Sequence, residues 1–176
     1  MQIPPREQMA RHLLLQNFVT GCALIGNAAL RSKASPVPAA AMMHDWWLAL
    51  VAASMGELID VPVPLVLYRL HGGNTVGVRP GSLWDHAARL AARPRDGALH
   101  ARQWVRGASR QSAAFAQTFQ DSLPAETFRL HADFGRIEEM GFARRKLFPL
   151  RSRARTNSLA RVAAATIFSC SGQKLV

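Results

Sequence analysis

Cysteine, acidic residues and long apolar runs are all scarce in this sequence, and each shortage narrows the possibilities. Its cysteines, Cys22 and Cys170, lie far apart and lack the spacing of a metal site. They build no disulfide framework, so a reducing, cytoplasmic setting is expected. The longest apolar stretch, from Trp46 to Met55, is interrupted by Ser54 and falls far short of the ~20 residues of a spanning helix. The N-terminal MQIPPREQMARH lacks the basic-then-apolar order of a signal peptide. A soluble or peripheral protein is therefore expected, not an integral one. There is no internal repeat, and no low-complexity tract beyond a mild alanine and arginine bias.

The shortage of acids leaves 11 Asp and Glu against 22 Lys and Arg, a net charge of +11. Such a surplus favours an anionic partner: a nucleotide diphosphate, an acidic lipid surface or nucleic acid. Nucleic acid is the weakest of these, because no reading motif or interleaved aromatic platform accompanies the charge. No D-x-D pattern occurs anywhere, and no acid follows Met140. That last part instead carries Arg144, Arg145, Lys146, Arg151, Arg153, Arg155, Arg161 and Lys174. Basic residues interspersed with Phe142, Leu147, Phe148, Leu150, Leu159, Val162, Ile167 and Phe168 suit shallow insertion at an anionic lipid surface; a solvated face over packed apolar residues is the alternative. A chain of 176 residues with 49% apolar content can bury a modest core and is not a disordered polymer.

Residues 6–15 have helical apolar spacing at Met9, Leu13 and Leu14. The β-branched and aromatic content of 17–27, NFVTGCALIGN, predicts a strand or extended segment. Asn27 suits the cap of a short helix to Ala34, and Pro36 and Pro38 stiffen the loop after it. A helix is predicted over 45–55, stopped by Gly56 as a left-handed cap. Ile59–Val61 and Leu65–Tyr68 read as short strands, confined by Pro62 and Pro64 to an edge or crossing loop. The Ser82–Asp85 capping box predicts a helix to about Arg93. A long helix is expected over 96–119, with apolar positions at Leu99, Trp104, Phe115 and Phe119. Another should start at Pro124 and reach about Met140, burying Phe128, Leu130, Phe134 and Ile137.

The sharpest chemistry lies in 43–77. His44 and Asp45 open an apolar helix bearing Trp46 and Trp47, and the LVLY run delivers Arg69 and His71 into the turn HGGN. An aspartate at a helix start is ordinarily an N-cap. His44 with His71 lacks the third spaced ligand of a zinc hydrolase. Cys22 reads as a small buried hydrophobe, since no basic group nearby would activate it.

HDWWLALVA followed by a glycine, two prolines and YRLHGGNTVG resembles the C-terminal half of the bacterial family-two glycosyltransferases, in particular the branch with rhamnosyltransferases of surface-polysaccharide assembly. Asn17–Cys22 and Asn27–Leu30 fit the same pattern. The resemblance implies an α/β fold: the second half of a GT-A domain over 1–80, then a mostly helical extension with a basic tail over 81–176. It implies transfer of a sugar from a nucleotide-sugar donor to a saccharide or lipid-linked acceptor. Asp45 would be the catalytic base. Thr20, Gly21, His44, Trp46 and Arg69 would contact substrate, with one tryptophan lining the cleft and the other in the core. His71 would complete a site for a divalent metal, Mg or Mn, and share a cleft with Asp45. The nucleotide-binding half with its Asp-X-Asp motif is missing from the pattern, so the resemblance implies a portion of an enzyme, inactive alone or completed by a separate N-terminal half. Action on lipid-linked acceptors would place it at the inner face of the cytoplasmic membrane. The alternative is a non-catalytic, basic, mostly helical module that binds anionic membrane or nucleic acid.

Overall fold

The computed structural model describes residues 4–5, 8–67, 69, 94–141, 144–145 and 148. Among them run the helices α1 (Met9–His12), α2 (Ala28–Ala34), α3 (His44–Met55), α4 (Pro94–Thr118) and α5 (Ala125–Gly135), with a 3₁₀ turn at Gly21–Ala23. No β-strand occurs among the described residues, which overturns the α/β expectation. The reason is visible at the backbone. In the 17–26 segment, the Val19 amide donates to the Asn17 side chain at 3.0 Å and the Gly21 amide to the Asp45 carboxylate at 2.9 Å. Side chains occupy the donors that a ladder would have used. In 59–67, Pro62 and Pro64 remove two donors, and the Val63 amide folds back onto the Val61 carbonyl at 2.8 Å. The segment remains irregular, with Ile59, Val61, Val63, Leu65, Val66 and Leu67 exposed.

α3 is the helix around which the core gathers. It buries Trp46, Trp47, Ala49, Leu50, Val51 and Ala52, on nearly every face, as a core helix rather than a surface one does. Each large side chain so buried contributes roughly 1.5–3 kcal/mol. The two tryptophans diverge by about 100° around the axis and meet different neighbours. Trp46 stacks on Trp104 with centroids 5.4 Å apart; Trp47 meets Phe115 edge-on at 5.6 Å and Phe119 at 5.8 Å. The core is thus shared between the parts of the chain before and after residue 80. The helix ends at Gly56, whose φ of −154° is not left-handed.

α4 and α5 form an antiparallel hairpin joined by the turn 119–124. Arg106 pairs with Glu138, Ser109 Oγ donates to the Gly135 carbonyl at 3.4 Å, and Ser112 meets His131 at 3.2 Å, one register throughout. A Cβ on Gly135 would stand 2.8 Å from Ala113 Cα, so this glycine is where the helices approach most tightly. Leu99, one of the apolar positions of the expected long helix, is exposed. α1 is shorter than expected, Asn27 caps α2 by accepting from the Leu30 amide, and Arg11 pairs with Glu126. Phe148 is buried and stacks on Phe134 with centroids 5.5 Å apart, so this tail residue belongs to the core and not to a lipid-facing side. Of the other elements expected, the 82–93 helix and most of the basic tail lie outside the described residues. No helix among the described residues is long and apolar enough to cross a membrane.

Candidate functional site

Asp45 is the one buried carboxylate among the described residues, 9% exposed. It is not the N-cap of α3. Met43 holds that position and offers no side-chain bond, while Asp45 lies in the first helical turn. A negative charge there meets the positive end of the helix dipole. Its Oδ1 accepts from the Trp46 amide at 2.7 Å and from Asn17 Nδ2 at 3.0 Å. Its Oδ2 accepts from the Gly21 amide at 2.9 Å. A carboxylate offers about four lone-pair sites. With two donors on Oδ1 and one on Oδ2, the unused capacity lies on Oδ2.

The loop 17–21 folds this way because Asn17 bonds twice. Its Oδ1 holds the Val19 amide at 3.0 Å, an Asx-type turn, which leaves Nδ2 to reach Asp45. Gly21 is then pressed against α3: a Cβ there would lie 2.8 Å from His44 Nε2 and 3.4 Å from Asp45 Oδ2. The glycine admits the His44 ring, and the close approach is to protein side chains. His44 itself is exposed. Two carbonyls just before the loop are gripped by indoles: Trp46 Nε1 donates to Leu13 at 2.6 Å and Trp104 Nε1 to Leu15 at 3.1 Å.

Asp45, Gly21 and His44 therefore come together. Thr20 is exposed one residue before Gly21, where its carbonyl accepts from the Ala23 amide at 2.8 Å. Trp46 is 0% exposed; with its ring stacked on Trp104 it has no open face for a sugar, which corrects its assignment to substrate. One tryptophan was expected to line the cleft and the other to enter the core, whereas both are core. Arg69 is exposed, and His71 with the expected Asp45–His71 cleft lies outside the described residues. Cys22 is exposed rather than buried. No three His, Cys, Asp or Glu side chains among the described residues gather around one point. The described residues alone thus offer no metal site, and the expected ligand His71 is not among them.

Two residues of the site went unread in the sequence. Asn17 appears in the N-x-V-x-G pattern, but its hydrogen bond to a residue 28 positions away has no local signature. Gln111 Oε1 accepts from the Met42 amide at 2.9 Å, across 69 positions; a glutamine inside a long helix gives no hint of such a partner. Compared with known protein families, curated proteins and solved structures, the chain matches none.

Proposed function

We propose that the chain is the acceptor-side part of an inverting glycosyltransferase of the family-two type, with Asp45 as its base. The observation that carries this is the carboxylate itself: buried at a helix start, oriented by Asn17 and the Gly21 amide, with its spare acceptor capacity on Oδ2. In the reaction, the acceptor hydroxyl oxygen forms a bond to the anomeric carbon of a nucleotide-sugar. The bond from that carbon to the diphosphate breaks on the opposite face, and the nucleoside diphosphate leaves with the electron pair. Asp45 Oδ2 takes the hydroxyl proton, a service that contributes typically 10²–10⁴-fold to a rate. His44, whose ring lies against Gly21, and Thr20, the residue before it, are both exposed and are the contacts offered to the acceptor, and Arg69 is the candidate for the diphosphate.

The donor side of such a reaction requires an Asp-X-Asp motif, and this sequence has none. The chain alone is therefore expected to leave nucleotide-sugars intact. The resemblance also supports lipid-linked acceptors and a place at the inner face of the cytoplasmic membrane. The all-helical architecture of the described residues favours a second reading, a non-catalytic basic helical module whose Asp45 only braces the loop 17–21.

Amide NMR of the ¹⁵N-labelled chain separates the two. Titration with oligosaccharide acceptors is expected to shift the Gly21 amide and the Asn17 side-chain amide, and Asp45→Asn to weaken that response. If no saccharide moves these signals, or if the shifts gather elsewhere, the acceptor-side reading is wrong.

A further inference from the structure

The start of α3 has no cap of its own, since Met43 makes no side-chain bond. A different helix supplies the missing fastening. Gln111, buried on α4, accepts from the Met42 amide at 2.9 Å. One turn earlier, Gly107 lets α4 press onto the Met42 side chain: a Cβ there would be 2.9 Å from Met42 Sδ and 3.1 Å from its Cγ. One turn earlier again, Trp104 bonds the Leu15 carbonyl at 3.1 Å and stacks on Trp46. Positions 104, 107 and 111 follow helical spacing and share one face. That face therefore holds both pieces of backbone that meet at the carboxylate. Leu15 leads into the loop carrying Asn17 and Gly21, and Met42 leads into the helix carrying Asp45.

We propose that this face of α4 is the positioning surface of the site, and that Gln111 is the residue that sets where the Asp45 carboxylate stands relative to the Gly21 amide. As a matter of function the inference rests on the acceptor-side reading. As a matter of geometry it does not. Gln111 touches no substrate and acts through Met42.

The test uses amide NMR and hydrogen exchange on the full chain. In the unaltered protein the Met42 amide is expected to exchange slowly, being bonded to the buried Gln111 side chain. The Gly21 amide donates to the Asp45 carboxylate, so its signal is expected downfield, moving upfield in Asp45→Asn. Gln111→Met keeps the length of the side chain and removes the acceptor of the Met42 amide; Trp104→Phe removes the donor to Leu15 and shortens the ring stacked on Trp46. Both are expected to move the Gly21 signal in the direction of Asp45→Asn, while the His131 and Gly135 amides of α5 keep their positions. A Gly21 signal that stays in place in both variants overturns the proposal, whatever happens to Tm. So does a Met42 amide that exchanges at the unprotected rate in the unaltered chain, a measurement that needs no variant to fold. Saccharide titration is a separate arm. If Gly21 moves in the variants but no saccharide binds the unaltered chain, the positioning role is upheld and the functional reading fails. If saccharide binding is present and weakens in Gln111→Met, both are upheld.

Discussion

Asn17 serves two partners at once, and its substitutions separate them. Asn17→Ala leaves the Val19 amide without its acceptor and Asp45 with one donor fewer. Loss of such partly buried partners costs about 1–3 kcal/mol, to be read from urea unfolding. Asn17→Asp keeps an acceptor for Val19 but sets a second carboxylate against Asp45. It is expected to destabilise more than Asn17→Ala at neutral pH, and an Asn17→Asp variant as stable as Asn17→Ala would show that the Asn17–Asp45 contact is weak in solution. His131 is the second residue with a consequence of its own. Fully buried between α4 and α5 against Phe115, it bonds Ser112 through Nδ1, while Nε2 finds no partner among the described residues. Burial lowers its pKa from 6.5 to about 4. The folded state therefore binds this proton less readily than the unfolded chain. Its stabilising effect is complete above pH 6.5 and is lost as pH falls towards 4, by roughly 3 kcal/mol in all. Unfolding free energy measured across that window should fall with acidification in the unaltered chain, with a shallower slope in His131→Phe.

At the scale of elements, the α4–α5 hairpin shows how a weak helix former earns its position through contact. Gly135 is the last residue of α5, where a glycine costs no more than the ~1 kcal/mol relative to alanine of a helix interior. The structure supplies the reason for a glycine there, since Ala113 backbone and Cβ atoms stand where a Cβ would go. Gly135→Ala should therefore destabilise despite the better propensity, because overpacking typically costs about 1–3 kcal/mol. A thermal melt that rises in this variant would mean that the two helices separate easily. α3 illustrates the opposite balance. It has no cap side chain and is held by burial on nearly all faces, with Trp46 and Trp47 each sending an indole N–H to a carbonyl, of Leu13 at 2.6 Å and Ala34 at 3.0 Å. The segments expected as strands lacked what a strand requires, a neighbour to bond, and none stands among the described residues.

For the molecule as a whole, the net charge of +11 is concentrated late in the chain, where eight basic residues follow Met140 without an acid. Phe148 packs into the core on Phe134, so any lipid-facing side must be built from the other apolar residues of that part. The expected outcome is co-sedimentation with liposomes that rises with anionic lipid content and weakens with salt, as exposed charges are screened within ~8 Å at physiological ionic strength. Equal, negligible binding to neutral and anionic liposomes at low salt would rule out a membrane role for the charge.

Local pattern determined much of the helical framework. The Asn27 cap, the apolar run after Asp45, the long helix expected over 96–119 and the start of a helix at Pro124 were legible, because capping and apolar spacing act within a turn or two of the chain; the last helix stops at Gly135 and not near Met140. Local pattern also placed His44 and Asp45 at the start of α3, while the roles of Asp45 and Gly21 in a site were implied by the resemblance alone. Only the tertiary structure decided what these residues face. It turned both tryptophans inward, made Asp45 an acceptor for the loop 17–21 instead of an N-cap, and brought in Asn17 and Gln111 from 28 and 69 positions away. It also replaced the expected strands by loops. The physical reason is common to these cases: a hydrogen bond or a ring contact between distant residues depends on which surfaces meet after the helices have packed, and no local spacing carries that information.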